Sequence, residues 1–282
     1  MSTESLQFVS GLPRSGTTLL ANLLGQNPAH HVTPTSGLIH LVRSLWDTWP
    51  EIQEFKAEGI DTVRSSVVGG LRGLMLGYYM EPLAEQRIVF DKSRGWLAYL
   101  AALDQILNRP VRVITLVRDI RAIVASFESA FQRSGPEYFE SDRYQALAAM
   151  SAEQRALHTL ADDQVTGRAI ARLRGIYGES PERLILIPYV QLTATPCDVL
   201  AAIHGALGLP EFSYDPDHVR QRTWEDDRVN GLDLHRIRPR VEPAPLQPWQ
   251  GVLPDELCDE LARSYADINR LAAGPLVAPA IP

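Results

Sequence analysis

The hydrophobic pattern of the chain alternates short apolar runs with longer segments of helical spacing. Four runs rich in apolar or β-branched residues predict strands at 6–10, 88–91, 111–117 and 183–189. Between these runs, apolar residues three or four positions apart predict helices, the first of them over 19–24. Strands that alternate with helices in this way predict an α/β fold in which helices flank a parallel sheet.

The longest stretch without a strand pattern, residues 33–80, has mostly helical spacing. It contains four large aromatic residues, Trp46, Trp49, Tyr78 and Tyr79. The stretch predicts a helical cap insertion over the sheet, although each aromatic residue could instead belong to the buried face of an amphipathic helix. We expect residues 1–282 to form a single domain that ends in an irregular tail, 274–282.

Composition and charge limit the possible functions. The chain has 282 residues, a formal net charge of −7 and two cysteines, Cys197 and Cys258. An acidic chain is unsuited to general nucleic-acid binding, because a phosphate backbone requires a basic surface. The cysteines show no metal-ligand spacing, residues 1–5 lack the layout of a signal peptide, and no apolar run approaches the ~18 residues of a membrane helix. We therefore expect a cytoplasmic protein with neither a nucleic-acid nor a membrane partner.

The stretch GLPRSGTT, residues 11–18, lies between the first predicted strand and the first predicted helix. Gly11, Gly16 and Thr18 match the P-loop pattern G-x-x-x-x-G-K-[ST], but Thr17 stands where that pattern has lysine. Glycines allow a tight turn whose N–H groups point at an anion, and the start of the helix adds partial positive charge. The pattern therefore predicts an anion-binding loop.

Other side chains of the loop can replace the missing lysine. Arg14 can form a bidentate clamp on an oxyanion, and Ser15, Thr17 and Thr18 carry hydroxyl donors. The alternative is a glycine-rich turn that only caps a helix. The combination of strand, placed glycines, hydroxyls and helix favours anion binding.

Polar clusters also follow the other predicted strands. Residues 91–94 follow the second strand, Arg118 and Asp119 follow the third, and Tyr189 ends the fourth. In parallel α/β sheets, ligands bind beyond the carboxyl ends of the strands. We therefore expect these clusters to meet the loop in one site.

Three of these motifs resemble those of sulfotransferases that use 3′-phosphoadenylyl sulfate (PAPS). PRSGTT after an apolar strand resembles the family's 5′-phosphosulfate loop, and VITLVRDIRAIVASFE resembles its 3′-phosphate motif. The second resemblance implies that Arg118 and Ser126 bind the 3′-phosphate. FDKSRGW resembles the family's middle element, which implies that Lys92 contacts the transferring group.

The resemblance extends over most of residues 6–257 and is greatest to bacterial small sulfotransferases. LILIPYVQLTATPCDVLAAIHGALGLP resembles the family's later strand and helix, which implies that Tyr189 lies near the nucleotide. LHRIRPRVE and PWQGVLPDEL resemble its C-terminal closing segment, which implies a contact from Arg238 to PAPS.

This resemblance implies a P-loop-like fold and transfer of a sulfuryl group from PAPS, without a metal, to a small molecule with a hydroxyl, phenol or amine. The implied catalytic residues are Arg14 and Lys92. The residues implied to bind PAPS are Arg14, Ser15, Gly16, Thr17, Thr18, Arg118, Ser126, Tyr189 and Arg238.

A hydroxyl or phenol acceptor also needs a general base. Protein-tyrosine sulfotransferases carry a glutamate downstream of the loop arginine, where this chain reads VTPTSGLIH. The animal cytosolic enzymes have a histidine just after the lysine, where this chain has Arg94. The candidates here are His40, His235 and Asp91. The acidic run WEDD, 224–227, has no paired ligand pattern and predicts a solvated loop.

Two other functions remain open from the sequence. One is a P-loop kinase that uses ATP and magnesium; it is disfavoured because position 17 is not lysine and because Arg118, not aspartate, follows the strand VITLV. The other is a protein that binds PAPS, or its product 3′-phosphoadenosine 5′-phosphate (PAP), without catalysis.

Overall fold

The computed structural model describes residues 2–278 and contains one five-stranded parallel sheet in the order β2-β3-β1-β4-β5. The strands are β1 (Leu6–Gly11), β2 (His30–Thr35), β3 (Ile88–Lys92), β4 (Val113–Val117) and β5 (Leu184–Pro188). The parallel α/β sheet predicted from the hydrophobic pattern is confirmed.

Helices connect and flank the strands throughout residues 2–278. The α-helices are α1 (Thr17–Leu24), α2 (Leu38–Thr48), α3 (Gln53–Glu58), α4 (Ile60–Tyr78), α5 (Met80–Ala84), α6 (Leu100–Leu107), α7 (Ile120–Arg133), α8 (Asp142–Ala148), α9 (Ala152–Leu160), α10 (Val165–Glu179), α11 (Tyr189–Ala194), α12 (Pro196–Leu207), α13 (Asp227–Asn230), α14 (Asp255–Ser264) and α15 (Ala266–Ala273). Short 3-10 helices lie at Thr3–Ser5, Trp49–Glu51, Trp96–Tyr99, Pro136–Tyr138 and Pro181–Arg183.

The two faces of the sheet bury different residues of the same strands. Every residue of β1, β4 and β5 is buried, as parallel strands covered on both faces require. Successive side chains point to opposite faces, so that Phe8 packs in a cluster with Trp96, whereas its neighbour Val9 packs with Leu20 and Phe90. The same alternation at the end of β3 decides which polar side chains face the loop.

Strand β2 was missed by the sequence analysis because its sequence, HHVTPT, contains no apolar run. It lies at the edge of the sheet and is only partly buried. Its pairing with β3 shifts register between Val32 and Thr35, around Pro34, which lacks a backbone N–H and is tolerated at an edge. The predicted insertion therefore begins inside a strand.

Four helices, α2 to α5, connect β2 to β3. They bury Leu38, Leu71 and Met75 against the same core as Phe8. Trp49 and Tyr79 are buried, whereas Tyr78 is half exposed. Several of the aromatic residues predicted for a cap therefore serve at least partly as core residues.

The last described residues return to the sheet. Val277 pairs with Leu186 of β5 in an isolated antiparallel bridge, with N–H···O distances of 2.8 and 3.0 Å. The tail predicted to be irregular thus covers the outer edge of β5, and residues 279–282 lie outside the described range. Within residues 2–278, no helix combines the length and the apolar character needed to span a membrane.

Gly11 allows the end of β1 to approach β4. A Cβ at this position would lie 2.6 Å from the carbonyl oxygen of Leu116, and φ is +146°. Both features exclude an ordinary side chain, because neither the β4 backbone nor the local conformation can adjust cheaply.

We expect Gly11→Ala to lower the free energy of unfolding by about 2–3 kcal/mol, since the new methyl group overlaps backbone atoms. The matched control is Gly69→Ala in α4, where a Cβ meets nothing within 4 Å; it should raise stability by up to about 1 kcal/mol through helix propensity. Urea unfolding of both variants measures the difference. Equal stability of the two variants would contradict the close approach.

Candidate active site

The loop between β1 and α1 presents unpaired backbone donors. Arg14 and Gly16 adopt left-handed conformations, with φ of 61° and 94°, and turn the chain into α1. Within residues 2–278, no acceptor lies in hydrogen-bond range of the amides of Gly16, Thr17 and Thr18. Unpaired N–H groups at the start of a helix favour an anion.

Tyr189, the first residue of α11, packs directly on the loop. A Cβ at Gly16 would lie 2.7 Å from Cδ2 of Tyr189. The guanidinium carbon of Arg118 lies 4.4 Å from the centre of the same ring, a distance typical of cation–π contact. Glycine at position 16 thus lets an aromatic ring hold the loop and Arg118 together.

Arg118 and Arg14 extend the positive charge beyond the loop. Arg118 Nη1 donates to the carbonyl oxygen of Arg14 (2.7 Å), and Arg14 Nε donates to Ser126 Oγ (3.0 Å). Arg14 Nη1 also donates to the carbonyl oxygen of Leu234. The carboxylate next to Arg118, that of Asp119, caps α7 and pairs with Arg121, so its charge only partly offsets the burial that lowers the pKa of Arg118.

Burial of these arginines lowers the pKa of their guanidinium groups. Desolvation, followed by the charges of Arg118 and Arg133, lowers the pKa of Arg14 to about 10. Burial also lowers the pKa of Arg118. Both groups remain protonated at neutral pH and raise the local potential, which an anion would relieve.

Lys92 brings a cation to the other end of the loop. It shares a face of β3 with Phe90 and therefore points towards α1. Its Nζ lies 3.3 Å from Thr18 Oγ1 and 2.8 Å from Glu225 Oε1. The side chain is only 6% exposed, so this ammonium group belongs to the interior of the site.

The acidic run 224–227 is not the solvated loop predicted from the sequence. Trp224 is exposed, and Asp226 pairs with Arg228 at the surface. Glu225 and Asp227, however, point inward, and each side chain is 12% exposed. The prediction was wrong for these two residues: Glu225 pairs with Lys92 and Thr35, which are distant in sequence, and Asp227 accepts from Leu234 and His235 after the chain turns back.

His235 lies between these two inward carboxylates. Its Nδ1 is 2.6 Å from Asp227 Oδ1, and its Nε2 is 3.2 Å from Glu225 Oε2. Asp227 Oδ2 also accepts the amides of Leu234 and His235. Asp227 thus orients the histidine that contacts Glu225.

The other two candidate bases lie elsewhere. His40 is an exposed residue of α2. Asp91 is buried on the face of β3 opposite Lys92, where its carboxylate accepts from Tyr79 Oη (2.5 Å) and Trp96 Nε1 (2.8 Å). Desolvation raises the pKa of Asp91. Its position follows from the alternation of side chains along a strand.

Comparison with known proteins identifies the fold that carries this site. Residues 7–214 match the model of the sulfotransferase family. The chain belongs to the sulfotransferase family. Comparison with curated protein sequences gave no match.

Solved sulfotransferase structures share the fold at low sequence identity. The sulfotransferase domain of the curacin biosynthetic pathway superposes with a TM-score of 0.56 at 16% identity, over 93% of this chain and 96% of that one. That of the Synechococcus PCC 7002 olefin synthase gives 0.50 at 20% identity, over 93% and 94%. Sulfotransferase STF9 from Mycobacterium avium gives 0.50 at 14% identity, over 95% and 77%.

In this sulfotransferase, most of the residues singled out in the sequence meet in two groups. Arg14, Arg118, Ser126 and Tyr189 form one, and Lys92 with Thr18 forms the other; the loop amides lie between them. Each group combines a cationic side chain with a hydroxyl, that of Ser126 in the first and that of Thr18 in the second.

Two residues do not offer their side chains to this site. Ser15 is buried and donates its hydroxyl to the carbonyl oxygen of Leu12 (2.5 Å). Arg238 is 80% exposed and pairs with Glu242 at 2.6 Å. Ser15 therefore stabilises the turn of the loop, and Arg238 lies at the surface in this conformation.

Sequence reasoning missed Asn22, which attaches the segment before Glu225 to α1. Its Nδ2 donates to Thr18 O (2.8 Å) and Thr223 Oγ1 (3.1 Å), while its Oδ1 accepts the amides of Arg222 and Thr223. The sequence feature that could have indicated this role is the one amide side chain in the largely apolar helix sequence TTLLANLL. Asn22 is fully buried, so its hydrogen bonds are specific.

We expect Asn22→Ala to lower the free energy of unfolding by about 2–4 kcal/mol, because it leaves the buried amide of Thr223 and the partly buried amide of Arg222 without an acceptor. The control is Gln26→Ala, which removes exposed hydrogen bonds to Asp215 that water can replace; it should cost less than about 1 kcal/mol. Urea unfolding measures both. Similar losses in the two variants would argue against the role of Asn22.

Proposed function

We propose that this protein transfers a sulfuryl group from PAPS to a hydroxyl, phenol or amine of a small molecule and releases PAP. The observation that supports this proposal best is the pair of cationic groups at the two ends of the loop. PAPS carries a 5′-phosphosulfate and a 3′-phosphate, and so requires two anion-binding positions. ATP lacks the 3′-phosphate.

The residues on the two sides suit these two anions. The unpaired amides of 16–18 and the ammonium of Lys92 suit the 5′-phosphosulfate, because preorganised donors stabilise the charge that grows on the departing phosphate. Arg118 and Ser126 suit the 3′-phosphate, for which a guanidinium supplies paired charge-assisted hydrogen bonds. Tyr189 orients Arg118.

The guanidinium of Arg14 contacts Ser126 in this conformation. We therefore propose that the main role of Arg14 is to bind the 3′-phosphate together with Ser126. The catalytic role predicted from the sequence requires its side chain to reach the anion held by the loop amides.

The kinase alternative is less well supported by the site. It needs a cation at position 17 and a carboxylate after a neighbouring strand to hold magnesium. Arg118 follows β4, and the nearby carboxylates of Glu225 and Asp227 are engaged by Lys92 and His235. Among residues 2–278, no group of three or more His, Cys, Asp or Glu side chains is arranged to hold a metal ion.

We also propose that the reaction takes place in the cytoplasm. The two cysteines are free, as expected in a reducing compartment, and the net charge of −7 favours a small-molecule acceptor over a polyanionic one.

A thermal-shift measurement tests the donor. A ligand that binds only the folded state stabilises it in proportion to RT ln(1 + [L]/Kd). We expect PAP without metal to raise the Tm at far lower concentration than ATP with magnesium or ADP, since only PAP fills both anion positions. Equal shifts for PAP and ATP with magnesium would contradict the proposed donor.

Two arginine variants provide the matched comparison for this measurement. Arg118→Ala removes a buried partner of the 3′-phosphate and should weaken PAP binding by about tenfold to a hundredfold. Arg238→Ala removes an exposed arginine that pairs with Glu242 and should change PAP affinity by less than about twofold. A larger loss of PAP affinity in Arg238→Ala than in Arg118→Ala would instead indicate that the segment around Arg238 binds the 3′-phosphate.

We expect Lys92→Met to lower kcat by about a hundredfold and to leave PAP affinity nearly unchanged, because PAP has no sulfuryl group for Lys92 to contact. PAP release from PAPS in the presence of an accepted phenol measures the rate. Lys56→Met, which removes an exposed ion pair with Glu51, is the control. A Lys92→Met enzyme that keeps more than about a third of the wild-type kcat would exclude this role.

A further inference from the structure

Glu225 places a carboxylate beside the ammonium group of Lys92, the group proposed to contact the sulfuryl group of PAPS. Its Oε1 accepts from Lys92 Nζ (2.8 Å), from the amide of Thr35 (2.8 Å) and from Thr35 Oγ1 (3.0 Å). Its Oε2 faces His235 Nε2 at 3.2 Å. The carboxylate is therefore fixed from β2, from β3 and from the 227–235 loop at the same time.

The donors around Glu225 are unevenly distributed over its two oxygens. An ionised carboxylate has about four lone-pair positions. Three donors converge on Oε1, whereas within residues 2–278 only His235 reaches Oε2. Oε2 can therefore accept one more proton donor without displacing a protein contact.

Lys92 has a matching unused donor. An ammonium group has three N–H bonds, and among the described residues Thr18 and Glu225 accept from this one. The third N–H can meet a sulfuryl oxygen while the other two contacts persist. One ammonium thus holds the carboxylate at a fixed position relative to the group being transferred.

We propose that Glu225 is the general base that accepts the proton of the acceptor hydroxyl during sulfuryl transfer. This inference rests on the proposed function. In the step, the acceptor oxygen forms a bond to sulfur, the bond between sulfur and the bridging phosphate oxygen breaks, and its electron pair leaves with PAP. The hydroxyl proton passes to Oε2 of Glu225 and later to water.

The alternative bases are excluded by their contacts. Each ring nitrogen of His235 faces a carboxylate, Glu225 on one side and Asp227 on the other. Both ring nitrogens are therefore already engaged by carboxylates of the protein. Asp91 is enclosed by Tyr79 and Trp96 on the other face of the sheet.

The surroundings of Glu225 determine when it is ionised. Burial alone would raise the pKa of Glu225, but the charge of Lys92, then that of His235 and the amide of Thr35, hold it below its ordinary value. Arg94 adds a further positive charge nearby, while Asp227 lies behind His235. The carboxylate is thus ionised at neutral pH, and kcat should fall only below the ordinary pKa range of glutamate.

A carboxylate of low basicity is sufficient for this reaction. The acceptor hydroxyl becomes strongly acidic as its oxygen bonds to sulfur, so the proton is transferred late. A phenol that is already ionised needs no base at all. The contribution of Glu225 should therefore depend on the acidity of the acceptor.

The test compares Glu225→Gln with the wild type on two phenols. One is a nitrophenol that is mostly ionised at the assay pH, and the other is an un-ionised phenol of similar size. We expect kcat to fall by about a hundredfold or more on the un-ionised phenol but by only a few-fold on the nitrophenol. The acid limb of the wild-type pH profile should also disappear in the variant.

Two further variants separate catalysis from structure. Glu225→Asp keeps a carboxylate and should recover part of the rate lost on the un-ionised phenol. Asp226→Asn changes the neighbouring surface acid, which pairs with Arg228, and should leave both rates unchanged. PAP affinity should be similar in all of these proteins.

Equal losses on the two phenols, or a wild-type rate on both, would overturn the assignment of Glu225. Neither result would affect the proposed function, which is tested by transfer in the wild type and by its stabilisation with PAP.

Discussion

The loop between β1 and α1 can approach its neighbours only because two glycines lack side chains. Gly11 lies against the carbonyl oxygen of Leu116 in β4, and Gly16 lies against the ring of Tyr189. This close packing fixes the start of α1 and leaves its first amides unpaired. It also fixes Asn22 within α1, and Asn22 holds the segment that carries Glu225. The position of Glu225 is thus linked, through Asn22 and α1, to the close backbone approach at the carboxyl end of the central strand β1.

The site concentrates positive charge in an acidic protein. The chain has a net charge of −7, yet Arg14, Arg118 and Lys92 all converge on the loop. Burial lowers the pKa of Arg14 to about 10, which reflects the cost of keeping these cations close together and out of water. An anionic ligand would offset that cost, because the nearby carboxylates of Asp227 and Asp233 only partly counter the lowering of the pKa of Arg14.

The sequence predicted the elements whose signal is local. The apolar runs of β1, β4 and β5 are buried strands, and the glycines and hydroxyls of 11–18 are adjacent in the chain. Strand β2 escaped prediction because an edge strand with one exposed face and a proline has no apolar run. Glu225 escaped because its partners, Lys92 and Thr35, lie more than a hundred residues away. The tyrosine enzymes carry a glutamate where this chain reads VTPTSGLIH, and the structure brings the carboxylate of Glu225 to Thr35 of that stretch.

The ion pair of Lys92 with Glu225 is better explained by position than by stability. Removing two charges from water costs several kcal/mol per ion, and a buried pair rarely contributes more than an apolar pair of the same size. Here each partner has additional contacts: Lys92 with Thr18, and Glu225 with Thr35 and His235. Such a pair specifies one arrangement, because any displacement leaves a buried charge without its partner. The pair therefore connects β3 to the start of α1 through Thr18, and to β2 and the segment at 221–235 through Glu225.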